Sequence, residues 1–232
     1  MAYTILDLVT HLRRNILHDT GGQGVDWAAI SDSDYDTIQL RWSNEELVSN
    51  INEAIRKASR SINPIKDIVK LNLRPTKNLY TLDPSIKKVI SVRRSDGRSI
   101  EEKSLDDYFE IDDFDTAEGD VEAYICDDTS SFRIYKTPST ADYLNLKVYR
   151  LPKNDYTWSD QNEELEVPDD YCFPLLNYAV HLAYLKDEAN TFDPQKASGF
   201  LTLFLQDFPN TSVYSSLRKQ RTSNRPVKYG GL

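Results

Sequence analysis

Between residues 5 and 62 the apolar positions recur at the three- and four-residue spacing of a helix. Ile5, Leu8, Leu12 and Ile16 form one stripe behind Thr4, whose hydroxyl suits an N-cap, and Gly21-Gly22 predicts where that helix stops. A polar loop follows to about Arg41, with Trp27 and Tyr35 as its expected anchors. Ser43 with Glu46 three residues on then reads as a capping box, each side chain satisfying the other's free amide. Leu47, Ile51, Ala54, Ile55, Ala58 and Ile62 share the face behind it, up to a stop at Pro64. Neither helix is stable alone, so each requires an opposing apolar face.

From Val69 to about Leu151 the period changes to two. Leu71 and Leu73 alternate with polar residues, and Leu79-Tyr80-Thr81-Leu82 ends at Asp83-Pro84. Val89-Ile90-Ser91-Val92 leads into Ser95-Asp96-Gly97-Arg98, a tight-turn sequence. Glu122 to Cys126, Phe132 to Tyr135 and Tyr143 to Tyr149 read as further strands. In the last, Leu144, Leu146 and Val148 share one face and Tyr143, Lys147 and Tyr149 the other.

The helical period then returns. Pro168 marks a helix start, and Leu175, Leu176, Ala179, Val180, Leu182, Ala183 and Leu185 make a face too wide for a surface helix, so this helix is central. Asp193-Pro194 supplies N-cap and N1 of a final helix with the stripe Ala197, Phe200, Leu201, Phe204, Leu205 and Phe208, closed by Pro209. The expected fold is α+β: a helical bundle from the N- and C-terminal helices, with an inserted small antiparallel β subdomain and an extended C-terminal tail. The divisions fall at 1–66, 67–152, 153–210 and 211–232.

Composition suits a globular chain: of 232 residues, 39% are hydrophobic and 28% charged. Charge changes the picture more. No Asp or Glu follows Asp207, and the tail carries +5, leaving −14 on the rest of a chain whose net charge is −9. So acidic a body does not suit a protein that grips nucleic acid over its whole surface. Cys126 and Cys172 are spaced for neither a disulfide framework nor a zinc motif and read as reduced, buried thiols. No signal peptide is expected from Met1-Ala2-Tyr3-Thr4, and no apolar run reaches membrane-spanning length.

No catalytic, cofactor or metal motif is found. Asp32, Asp34 and Asp36 have calcium-loop spacing, but Thr37 stands where glycine is needed and Ser43 where glutamate is needed. Asp113 and Asp115 fail in the same way. His11 and His18, seven apart, fit a shared helix face better than a metal site, and His181 has no partner spacing. Gly21-Gly22-Gln23-Gly24 lacks the Lys-Ser or Lys-Thr of a phosphate loop. A hydrolase working through carboxylates such as Asp112, Asp113 or Glu118 leaves no fixed sequence mark and stays an alternative. The tail is the stronger candidate. Arg218, Lys219, Arg221, Arg225 and Lys228 are interleaved with Tyr214, Leu217, Pro226, Val227 and Tyr229, a mixture that combines electrostatic steering with anchoring contacts. It has no periodic apolar face, so a partner is expected to order it.

Several segments, in order, resemble one family. They are Arg41-Trp42-Ser43-Asn44-Glu45-Glu46-Leu47 leading into Ile51-Asn52-Glu53-Ala54, then Leu79 to Pro84, Val89 to Val92 and Asp96-Gly97-Arg98. Phe132-Arg133-Ile134-Tyr135, Leu175 to Ala179 and Ala183 to Asp187 complete the series. Together they resemble the head-to-tail adaptor proteins of tailed bacteriophages, although the loop between Gly21 and Arg41 is longer than that family's pattern. The resemblance implies a structural virion protein at the neck, assembled in host cytoplasm. It implies a ring, normally of twelve copies, docked on the portal with tail or nozzle proteins below and genomic DNA passing through without sequence-specific binding. It also implies that the C-terminal segment reaches the portal, which makes Tyr214, Leu217, Arg218, Lys219, Arg221, Arg225, Lys228 and Tyr229 the docking candidates. Acidic side chains along the channel would repel the DNA backbone while the cationic tails face the portal. A tail-completion or tail-tube protein is the nearest alternative.

Overall fold

The Thr4 hydroxyl accepts from the Asp7 amide at 3.2 Å while Asp7 accepts from the Thr4 amide, so a full capping box opens helix α1 (Ile5–His11). The computed structural model describes residues 2–21, 25–26, 29, 38, 40–62, 65–104, 106–107, 110–111, 113–114, 116–126, 131–188 and 190–209. The expected anchors Trp27 and Tyr35, the acidic run Asp32 to Asp36, and the whole segment 210–232 with its docking candidates lie outside these residues.

Helix α1 passes into a π-helical turn, Leu12–Leu17, that ends four residues before Gly21. The stop is His18 in the left-handed region (φ 51°), its amide bonded to the Arg13 carbonyl, so His18 is beyond the helix and shares no face with His11. Gly21 is itself required: at φ +60° an added Cβ would lie 2.5 Å from Ile38 Cγ2.

The wider turn buries Leu12 and the adjacent Arg13 together. The Arg13 guanidinium donates to Asp19 Oδ2 at 2.6 Å, to the Trp42 carbonyl at 2.7 Å and to Asn44 Oδ1 at 2.8 Å. Asp19 in turn accepts from the Arg41 amide at 2.9 Å. The indole of Trp42 donates to the Ala183 carbonyl at 3.0 Å. One buried cation thereby ties α1, the entry to α2 (Asn44–Ser61) and the end of α3 (Asp169–Tyr184) together.

Helix α2 begins with the Ser43–Glu46 capping box read in the sequence. Helix α3 follows Pro168, and α4 (Pro194–Asp207) is capped by Asp193 with Pro194 at its first position. Helices from both ends of the chain contribute to one apolar core, with Leu8, Ile51, Leu176, Val180 and Phe204 fully buried. A second core belongs to the sheet, around Val92, Phe132, Leu144, Leu146 and Val148.

Among the described residues the sheet has seven strands: β1 (Ile65–Leu73), β2 (Leu79–Thr81), β3 (Ile86–Arg94), β4 (Ser99–Glu102), β5 (Ala123–Ile125), β6 (Ser131–Tyr135) and β7 (Asp142–Arg150). Their order is β1-β7-β3-β4-β5-β6-β2. The expectation of an antiparallel subdomain needs correction, because β4 and β5 pair in parallel through Glu101–Ala123 and Glu102–Tyr124. Parallel neighbours cannot be joined by a hairpin, so the chain crosses over between residues 103 and 122. Strand β4 was invisible in the sequence: Ser99-Ile100-Glu101-Glu102 buries only Ile100. The β3–β4 turn uses Gly97 at φ +87°, as the Asp-Gly pair predicts.

Replacing Arg13 with leucine would strand Asp19 and Asn44 in the core. Loss of one partner of a buried pair costs about 3–5 kcal/mol. The denaturant midpoint should fall accordingly, and the added Asp19→Asn change should recover part of the loss by removing the orphaned charge.

Candidate interaction surfaces

Among the described residues, Asp113 and Glu118 are not brought into one reacting constellation. Asp113 accepts from the Tyr135 hydroxyl at 3.3 Å, and Glu118 is exposed beside a backbone bridge to Thr137. Asp112 and Asp115 are outside the described residues. Desolvation and the neighbouring Asp113 push the Tyr135 phenol up, away from any acid–base role near neutrality. Among the described residues no group of three His, Cys, Asp or Glu side chains could hold a metal. His181 Nδ1 lies 2.9 Å from the Ala197 carbonyl, a contact between α3 and α4. Neither cysteine is in a disulfide; Cys172 is buried as expected, but Cys126 is only half-buried. Burial pushes the Cys172 thiol up to about 11. No helix among the described residues is long and apolar enough to cross a membrane.

Two surfaces remain. The first is the polar seam joining the sheet to the helices. Arg150, at the end of β7, donates to Asp67 Oδ2 at 2.7 Å and to Glu166 Oε2 at 2.8 Å, and Lys153 reaches Asp67 at 3.3 Å. Asn52 on α2 exchanges two hydrogen bonds with the Tyr156 backbone, at 2.7 and 3.0 Å, while the Tyr156 hydroxyl accepts from the Glu166 amide. Lys87 on β3 donates to the Ser59 carbonyl at 2.7 Å, capping the last turn of α2. Desolvation works against the Asp67 carboxylate, but hydrogen bonds from Arg150, the Ile68 amide and Lys153 outweigh it and hold its pKa below the usual range.

The second surface is the outer face of the sheet's first three strands in spatial order. The β1–β7 register places Lys66 opposite Tyr149, Ile68 opposite Lys147, Lys70 opposite Asn145 and Asn72 opposite Tyr143. The β3–β7 register adds Lys88 beside Tyr149, Ser91 beside Lys147 and Arg93 beside Asn145. Opposed residues share a face, so Lys66, Lys70, Lys88, Arg93 and Lys147 lie on one side with no Asp or Glu between them in these strands. Asp67 is on the reverse, engaged by Arg150 and Lys153. Lys70 Nζ stands 3.7 Å from the Tyr143 ring centroid and Lys66 Nζ 5.7 Å from that of Tyr149. Ile68, in the middle of the edge strand, is 69% exposed. An apolar centre flanked by tyrosines and ringed by cations has the anatomy of a protein interface.

The sequence placed Tyr143, Lys147 and Tyr149 on one face but missed their neighbours. The alternation Lys66-Ile68-Lys70 carries the missing signal, which becomes readable only once β1 is known to lie beside β7. The opposite sign is concentrated after β3: residues 95–128 carry fourteen carboxylates against Arg98 and Lys103 alone. The tail candidates Tyr214 to Tyr229 lie outside the described residues.

A family model described as SU10 adaptor protein matches residues 3–228. No curated protein matches the chain.

Two measurements test these placements. At pH 8 a thiol with a pKa of about 11 is ionised to about one part in a thousand, so a disulfide reagent should modify Cys126 first and reach Cys172 only on unfolding. Because Asp67 has a depressed native pKa, its stabilisation is present above the ordinary carboxylate range and is lost as pH falls through its native value. Asp67→Asn should therefore lower stability at pH 7 and flatten its decline between about pH 5 and pH 3, as followed by urea unfolding across pH.

Proposed function

Because the chain belongs to the SU10 adaptor protein family, we propose that it is a structural head-to-tail adaptor of a tailed bacteriophage virion. It assembles as a ring, of twelve copies by the family pattern noted above, beneath the portal and above the tail or nozzle proteins. The match over residues 3–228 carries this reading, since it spans the helices, the sheet and most of the basic tail. Its role is mechanical: to join two assemblies and leave a passage for DNA between them.

Three features support the details. The cationic tail, with Arg218, Lys219, Arg221, Arg225 and Lys228 among Tyr214, Leu217 and Tyr229, is suited to docking on the portal. The net charge of −14 on the remainder suits a channel wall past which a polyanion slides without sticking. Repetition around a ring multiplies individually weak contacts, so no single tail needs high affinity. Assembly takes place in the host cytoplasm and the product resides at the virion neck.

Light scattering coupled to size-exclusion chromatography tests the reading, on the chain alone and then with the portal of the same phage. The expected result is a stoichiometric ring on the portal, lost when residues 213–232 are deleted. A chain that ignores the portal but binds a tail component would instead be a tail-completion protein.

A further inference from the structure

The basic outer face of β1, β7 and β3 has no ion-pair partner among the described residues. Lys66, Lys70, Lys88, Arg93 and Lys147 are all exposed, and none is ion-paired among the described residues. The matching charge exists in the same molecule but elsewhere. The crossover between β4 and β5 is anchored by buried Phe114, whose ring is 5.4 Å from that of Tyr135. It is also held by backbone bonds at 2.9 Å from Thr137 to Ala117 and from Gly119 to Thr137. With the backbone held, Glu110, Asp113, Glu118 and Asp120 are exposed. The crossover is needed only because β4 and β5 are parallel, and it emerges on the β4–β5–β6 side of the strand order, away from the β1 edge.

We infer that the β1–β7–β3 face of one copy docks on the acidic β4–β5 crossover of the next copy. This rests on the ring proposed above and names the contact between its subunits. Two complementary but different patches on one chain make a heterologous contact, and such a contact generates a closed ring when its rotation closes. Ile68, with Tyr143 and Tyr149 beside it, supplies the apolar centre of the contact, and the lysines supply its orientation. Nucleic acid is the less suitable occupant. In a ring, the contact covers the basic face and leaves the acidic remainder of the surface to face the channel.

The test is carbodiimide cross-linking, which joins an amine to a carboxylate only in direct contact. It is applied to rings assembled on the portal from an equal mixture of ordinary and heavy-nitrogen-labelled full-length chains. Mixed-isotope peptides joining Lys66, Lys70, Lys88 or Lys147 to Glu110, Asp113 or Glu118 are expected. Lys70→Glu with Lys147→Glu should reduce those products about tenfold. Glu110→Lys with Glu118→Lys should do the same, and a chain carrying all four changes should regain assembly. Circular dichroism on each variant confirms that the fold survives. Rings that form normally in both paired variants, with no such peptides, would overturn this contact and leave the ring reading intact. A chain that never forms a ring with the portal would overturn both. Retention of duplex DNA by the unaltered face, abolished by the lysine changes, without inter-chain products, would overturn it in favour of nucleic-acid docking.

Discussion

A fully buried guanidinium is the constraint on which the helical part depends. Removing Arg13 from water is tolerable only if its donors meet acceptors, and Asp19, Asn44 and the Trp42 carbonyl meet them. Those partners sit on separate parts of the chain: the turn after the π-helical segment, the approach to α2 and its first residue. Satisfying one cation therefore fixes where the chain enters α2 relative to α1. The Trp42 indole then passes the constraint to α3 through the Ala183 carbonyl. An apolar residue at position 13 could fill volume, but it could not specify which three segments meet.

The sheet is governed by different physics. Its core is made by alternation, with Leu144, Leu146 and Val148 inward, and apart from Ile65, which joins the helical core, the contacts described above between sheet and helices are polar. Arg150 between Asp67 and Glu166, Asn52 on the Tyr156 backbone, and Lys87 on the α2 terminus are directional contacts. Such a seam sets orientation where a second apolar interface would allow sliding. It engages Asp67 on the reverse of β1, while the outward positions of β1, β7 and β3 carry Lys66, Lys70, Lys88, Arg93 and Lys147.

Charge segregation links structure to role. A uniformly acidic particle would repel its own copies, whereas one that separates a basic face from an acidic crossover has a preferred neighbour orientation. In the ring proposed above, the residual negative charge would suit passage of DNA. The adaptor reading asks for self-association and a non-adhesive interior, and a segregated distribution serves both.

Local chemistry was legible in the chain itself. The caps at Thr4, Ser43 and Asp193, the Gly97 turn, the inward face of β7 and the buried α3 face from Leu175 to Ala183 follow from residues within a few positions of one another, whereas Leu185, expected on that face, lies past the helix end and is exposed. So did family membership, which rests on the order of such local signals. What the sequence could not supply was anything set by contacts between distant segments. The His18 helix stop depends on the π-helical turn that brings its amide to the Arg13 carbonyl, and strand β4 exists because it pairs with β3 on one side and β5 on the other rather than because of its own propensity. The parallel pairing, the basic face and its separation from the acidic crossover are likewise properties of strand order. Periodicity specifies which side of a strand is buried, whereas only the assembled sheet decides which strands are neighbours, and so which charges stand together.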